Sequence, residues 1–122
     1  MNRTATARPL ICAAALFLTL AFCGCHSYHI DATIQNRTGA PIQLLEVDYP
    51  SASFGADSLA SGADFNYRFQ VRGSGPLKLS YTAANGQTVQ ISGPNLVEGQ
   101  QGNLVIVLNP GIKAEFRPQL TP

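Results

Sequence analysis

From Asp64 to Val71 the chain alternates without a break. Phe65, Tyr67, Phe69 and Val71 fall on one phase, and Asp64, Asn66, Arg68 and Gln70 on the other. A period of two belongs to an extended strand with one buried face, and no helix gathers such a set on one side. The pattern recurs along most of the chain. Tyr28, Ile30, Ala32 and Ile34 alternate with His29, Asp31, Thr33 and Gln35; Leu77, Leu79 and Tyr81 alternate with Lys78, Ser80 and Thr82; Val89 and Ile91 follow. From Leu104 to Leu108 both phases are apolar, as expected of a central strand covered on both faces or of an edge packed under a loop. A last strand is expected over 112–116. Beyond residue 25 no stretch has a helical period.

Turn chemistry separates these runs. Asn36-Arg37-Thr38-Gly39-Ala40-Pro41 follows the first, Asn85-Gly86 marks a tight hairpin, and Asn109-Pro110-Gly111 joins the last pair. Arg72-Gly73-Ser74-Gly75-Pro76 is expected to be a hairpin loop, and Gly93 to Gly102 a long one. Between Ile42 and Tyr49 the apolar phase switches at Leu44-Leu45, which one extra residue in a β-bulge would produce. Turn signals every eight to twelve residues or so predict an all-β fold, an antiparallel β-sandwich of immunoglobulin-like architecture with seven or eight strands. The cysteine and tryptophan landmarks of antibody domains are absent, so the expectation covers architecture alone.

The first residues follow different rules. Arg3 and Arg8 precede an apolar run from Leu10 to Phe22, interrupted only by Thr19. A positive start and a run too short to span a bilayer comfortably describe an export signal. It closes on Phe22-Cys23-Gly24-Cys25, which resembles the signal of bacterial lipoproteins, where a small residue precedes the cysteine that is lipidated before cleavage. Gly24 matches the small residue and Cys25 the acylated one; Phe22 departs from the usual Leu. The resemblance implies a signal peptide over 1–24 and a lipidated Cys25. With the strand pattern, the expected organisation continues as a tether over 25–27, a sandwich domain over 28–118 and a tail over 119–122.

Cleavage before Cys25 removes both other cysteines, Cys12 and Cys23, so the mature domain has no disulfide. It also removes Arg3 and Arg8, leaving 6 basic residues against 7 acidic ones. No basic stripe survives to hold nucleic acid or an anionic surface. His26 and Ser27 alone separate Cys25 from the first strand residues, giving about 10 Å of reach. The domain is expected to sit close to the membrane.

No arrangement of residues announces catalysis. His26, His29 and Asp31 could at most form a weak metal site lacking further ligands, and no cofactor is expected. Glu46 and Asp48 share one strand face, but the apolar phase of Leu45, Val47 and Tyr49 directs both carboxylates to water. Serines occur without a Gly-x-Ser-x-Gly elbow or a histidine in the domain body. Asn36-Arg37-Thr38 matches a glycosylation acceptor and reads more simply as an Asn-initiated turn. The candidate binding residues are Tyr49, Pro50 and Phe54, in a segment too polar for a core strand. They form either an exposed recognition loop or an aromatic closure of the sheet edge.

Asn36-Arg37-Thr38-Gly39, Leu59-Ala60-Ser61-Gly62-Ala63, Gly75-Pro76-Leu77-Lys78-Leu79-Ser80-Tyr81 and Asn85-Gly86 together resemble small uncharacterised bacterial lipoproteins with a single immunoglobulin-like or related β-sandwich domain. The resemblance implies an exported, membrane-anchored, non-catalytic protein and brings no assigned function with it. Anchor, sandwich and the lack of a catalytic set together lead to the expectation of a cell-envelope module, binding or structural, that acts through contacts with an envelope protein. The alternative expectation is a carrier or sensor of a small apolar ligand held between the sheets.

Overall fold

Residues 28–122, which the computed structural model describes, form eight strands. The expected signal, Cys25 and the tether lie outside the described residues. The strands are β1 (Ile30–Asn36), β2 (Ile42–Tyr49), β3 (Ala52–Leu59), β4 (Asp64–Phe69), β5 (Gly75–Thr82), β6 (Thr88–Leu96), β7 (Gln101–Asn109) and β8 (Lys113–Thr121). They form two four-stranded sheets, ordered β4-β1-β7-β8 and β3-β2-β5-β6. One apolar core draws side chains from both, including Ile30, Ile34, Val47, Leu77, Leu104 and Ile106. The all-β sandwich is as the alternation predicts.

The pairing departs from expectation in one place. Every neighbouring pair is antiparallel except β1 and β7, which run parallel from Ile30↔Gly102 to Asn36↔Leu108. β7 is therefore an interior strand of its sheet, which explains its two apolar phases only in part. Leu104, Ile106 and Leu108 enter the core, while Val107, also buried, faces outward between Gln35 and Glu115 in register. Beside it the guanidinium of Arg117 donates to both oxygens of Glu115 at 3.0 and 2.9 Å. Such long polar side chains shield apolar surface with their stems.

The phase switch at Leu44-Leu45 is a bulge: β2 shifts register against β5 between Gln43 and Glu46. Leu44 takes φ 51° and points out, 65% exposed. Against β3 the register stays continuous, so β3 switches phase too, burying Phe54 on one side of the shift and Leu59 on the other. That double switch, in a segment rich in Ser, Ala and Gly, hid β3 from the alternation, and the expected loop around Tyr49 to Gly55 is in fact a hairpin. Gly55 is required there, because a β-carbon would overlap the Leu45 carbonyl oxygen.

Other boundaries also shift. β6 reaches Leu96 and β7 begins at Gln101, so the expected loop over 93–102 shrinks to a turn. Gly93 lies inside β6 because a β-carbon there would press on the ring of Phe116, 2.8 Å away, which closes that edge of the sandwich from β8. The segment 72–76 is not a hairpin loop, since β4 and β5 lie in different sheets. β8 starts at Lys113 and continues to Thr121 opposite Gln101, so residues 119–121 are strand rather than tail.

Candidate functional site

Strand direction sorts the loops into two ends. At the end where the chain enters, the starts of β1, β3, β5 and β7 meet the ends of β2, β4, β6 and β8. Hydrogen bonds tie this end together: Gly102 N to the His29 carbonyl at 3.1 Å, Gly99 N to the Val71 carbonyl at 3.3 Å, and Arg72 N to Ser51 Oγ at 3.3 Å. The far end collects the β1–β2 loop and the turns β3–β4, β5–β6 and β7–β8.

The candidate residues Tyr49, Pro50 and Phe54 belong to the entry end and the edge above it. Phe54 is 7% exposed, inside the core; Tyr49 is half-buried and only Pro50 is exposed. The Tyr49 ring lies 4.5 Å from that of Phe69, and Tyr67 stacks on Phe54 at 4.3 Å and 13°. Burial, with a smaller contribution from Tyr67, pushes the Tyr49 phenol above its ordinary value. The aromatics therefore close the β3–β4 edge of the sandwich. Tyr67, read from its phase as inward, is instead the outer layer of that stack, because its strand is at an edge.

The polar candidates stay apart. Glu46 and Asp48 are exposed side by side on the outer face of β2, with Asp48 bordering a polar groove shared with Lys78, Ser80 and Gln90. A hydrogen bond with Asp48, and then its charge, raise the Glu46 carboxyl above its ordinary value. His29 and Asp31 precede and enter β1, and Asp31 faces Arg68 at 3.6 Å. Among the described residues no group of three His, Cys, Asp or Glu could hold a metal ion.

The far end carries a feature the sequence did not reveal. A cleft of about 450 Å³ opens between the β1–β2 loop and the β5–β6 and β7–β8 turns. Its walls come from Ala40, Ile42, Tyr81, Ala83 and Val89, its rim from Pro110, Gly111 and Ile112, and its polar groups from Thr38, Asn85, Gln87 and Asn109. None of these side chains is charged at neutral pH, and burial pushes the Tyr81 phenol further from ionisation. Ile112 holds φ 60° while 52% exposed, an outlying conformation for a β-branched residue.

Asn36 builds this end. It is fully buried, and its amide donates to the carbonyls of Ala40, Leu59 and Ala60 at 2.9, 3.1 and 3.2 Å. Its Oδ1 accepts from the Thr38 backbone N at 3.1 Å and from Thr38 Oγ1 at 2.7 Å. The Asn-initiated turn is as expected. Its grip on the β3–β4 turn needed the tertiary fold.

The fold has a structural relative. A solution structure determined by NMR, of a protein from Eubacterium rectale, is similar at a TM-score of 0.54 and 12% identity, covering 75% of this chain and 88% of that one. At that identity the likeness is one of fold. No protein-family model and no curated protein matches the chain.

Proposed function

We propose that this chain is a non-catalytic, lipid-anchored module of the bacterial envelope that binds a partner protein through the cleft at its far end. One observation carries the reading: the apolar cleft lies opposite Tyr28, roughly 20 Å along β1, where a protein held by Cys25 would display it away from the membrane. Loops on a rigid sandwich are the usual place for recognition, and an uncharged lining suits an apolar side chain or two of a partner. The outlying backbone at Ile112 supports the same reading, since strain of this kind persists most often where a side chain is needed for contact. A ligand carried between the sheets has less in its favour, because Ile30, Ile34, Leu77, Leu104 and Ile106, all fully buried, fill that space.

The test separates binding from folding. Ile112→Gly should raise stability by roughly 1 kcal/mol, by removing a left-handed β-branched residue, yet reduce photocrosslinking of the partner from a probe at Asn85. The same probe at Gln90, on the outer sheet face, should capture nothing. Equal crosslinking from both positions, unchanged by Ile112→Gly, refutes the cleft as the binding site.

A further inference from the structure

We infer that the entry end of the sandwich is a membrane-seating surface, with Tyr28 and Val97 inserted into the lipid headgroup layer. The inference rests on the lipid anchor at Cys25 and adds to it an orientation. Tyr28 is 42% exposed and Val97 51%, two large apolar side chains at the end where the chain enters the fold, and Pro50 is exposed in the β2–β3 hairpin at the same end. Val97 is held in a closed turn, its N–H donating to Gln100 Oε1 at 2.8 Å while Gln100 N donates to its carbonyl at 3.2 Å.

Distances choose the occupant. Acyl chains on Cys25 would lie in the hydrocarbon, whose headgroup layer is roughly 5–8 Å thick on each side. The three steps from Cys25 to Tyr28 reach about 10 Å. Tyr28 therefore cannot clear the headgroups by more than a few ångströms, and a partner helix, about 10–12 Å across, does not fit beneath it. Lipid is what remains. Tyrosine suits that layer, its ring meeting the acyl boundary and its hydroxyl the water. The exposed charges on the loops of this end, Arg72 and Glu98, are of opposite sign and sum to zero, so seating needs no anionic lipid.

The chain contains no tryptophan, so a single introduced indole reports its own surroundings. The processed, full protein carrying Tyr28→Trp, Val97→Trp or Ile112→Trp is placed in phosphatidylethanolamine–phosphatidylglycerol vesicles whose acyl chains are brominated near the headgroup. Indoles at 28 and 97 should emit to the blue and be quenched several-fold more than the one at 112. Acylated protein in which 28 and 97 are quenched no more than 112 overturns the seating and leaves the anchor standing. A mass spectrum without acyl chains on Cys25 overturns both.

Discussion

Asn36 shows how much one side chain can hold. Its amide donates to three carbonyls, those of Ala40 in the β1–β2 loop, Leu59 at the end of β3 and Ala60 beyond it; only the Ala40 carbonyl also accepts from a second side chain, the Thr38 hydroxyl at 2.9 Å. Asn36→Ala is expected to cost about 1–3 kcal/mol in urea unfolding, the range for buried groups left without partners. Asn36→Asp should cost more, since a carboxylate would face the same three carbonyl oxygens. The exposed pair Glu46 and Asp48 behaves differently. The hydrogen bond with Asp48, and then its charge, hold the Glu46 carboxyl above its ordinary value, so the pair is favourable below that ordinary value and becomes repulsive as pH rises through the raised one. Glu46→Gln should therefore raise the melting temperature slightly at neutral pH and leave it unchanged in acid, where the native residue is already neutral. Glu115 runs the other way: Arg117 lowers its carboxyl, and that contribution fades as pH falls.

Among elements, β4 separates what alternation can and cannot say. Phe65, Tyr67 and Phe69 share a phase, yet Phe69 is 3% exposed, Phe65 half-buried and Tyr67 largely open. Arg68 and Gln70 are exposed, as the register required. Phe69 is the most buried of the three because Tyr49 covers it at the entry end, while Phe65 and Tyr67 lie along the open side of an edge strand. Phe69→Ala is expected to cost on the order of 3–5 kcal/mol, and Phe65→Ala clearly less. Chemical denaturation of both variants measures the difference, and equal losses would mean that the edge is as tightly packed as the centre.

At the scale of the whole molecule, the proposed function and the proposed seating assign the two ends different work, one toward lipid and one toward a partner. A flexible Gly/Ser insert of about twenty residues after Ser27 would add roughly 25 Å of root-mean-square reach. It should leave acylation and thermal stability unchanged but weaken partner crosslinking from the far-end cleft, because orientation and effective concentration are lost. Alanine at His29, Glu46 and Asp48 together should leave that crosslinking intact. A folded triple variant that loses it, beside an insert variant that keeps it, would point to chemistry in those side chains. Since the cleft lining holds no charged side chain, partner binding should change little between low and moderate salt.

The all-β class, most strand phases, the bulge at Leu44-Leu45 and the turns at Asn36 and Asn85-Gly86 were legible in the amino-acid order. Each of these is a local matter of period or turn chemistry, written in neighbouring residues. That order did not contain the position of β3, whose small residues and phase switch erase the period. Nor did it contain the parallel pairing of β1 with β7, since alternation states which face is buried and not which strand lies alongside. The far-end cleft was equally illegible. Ala40, Tyr81 and Ile112 are far apart in the chain, and only the meeting of three loops at one end of two packed sheets brings them around a common space.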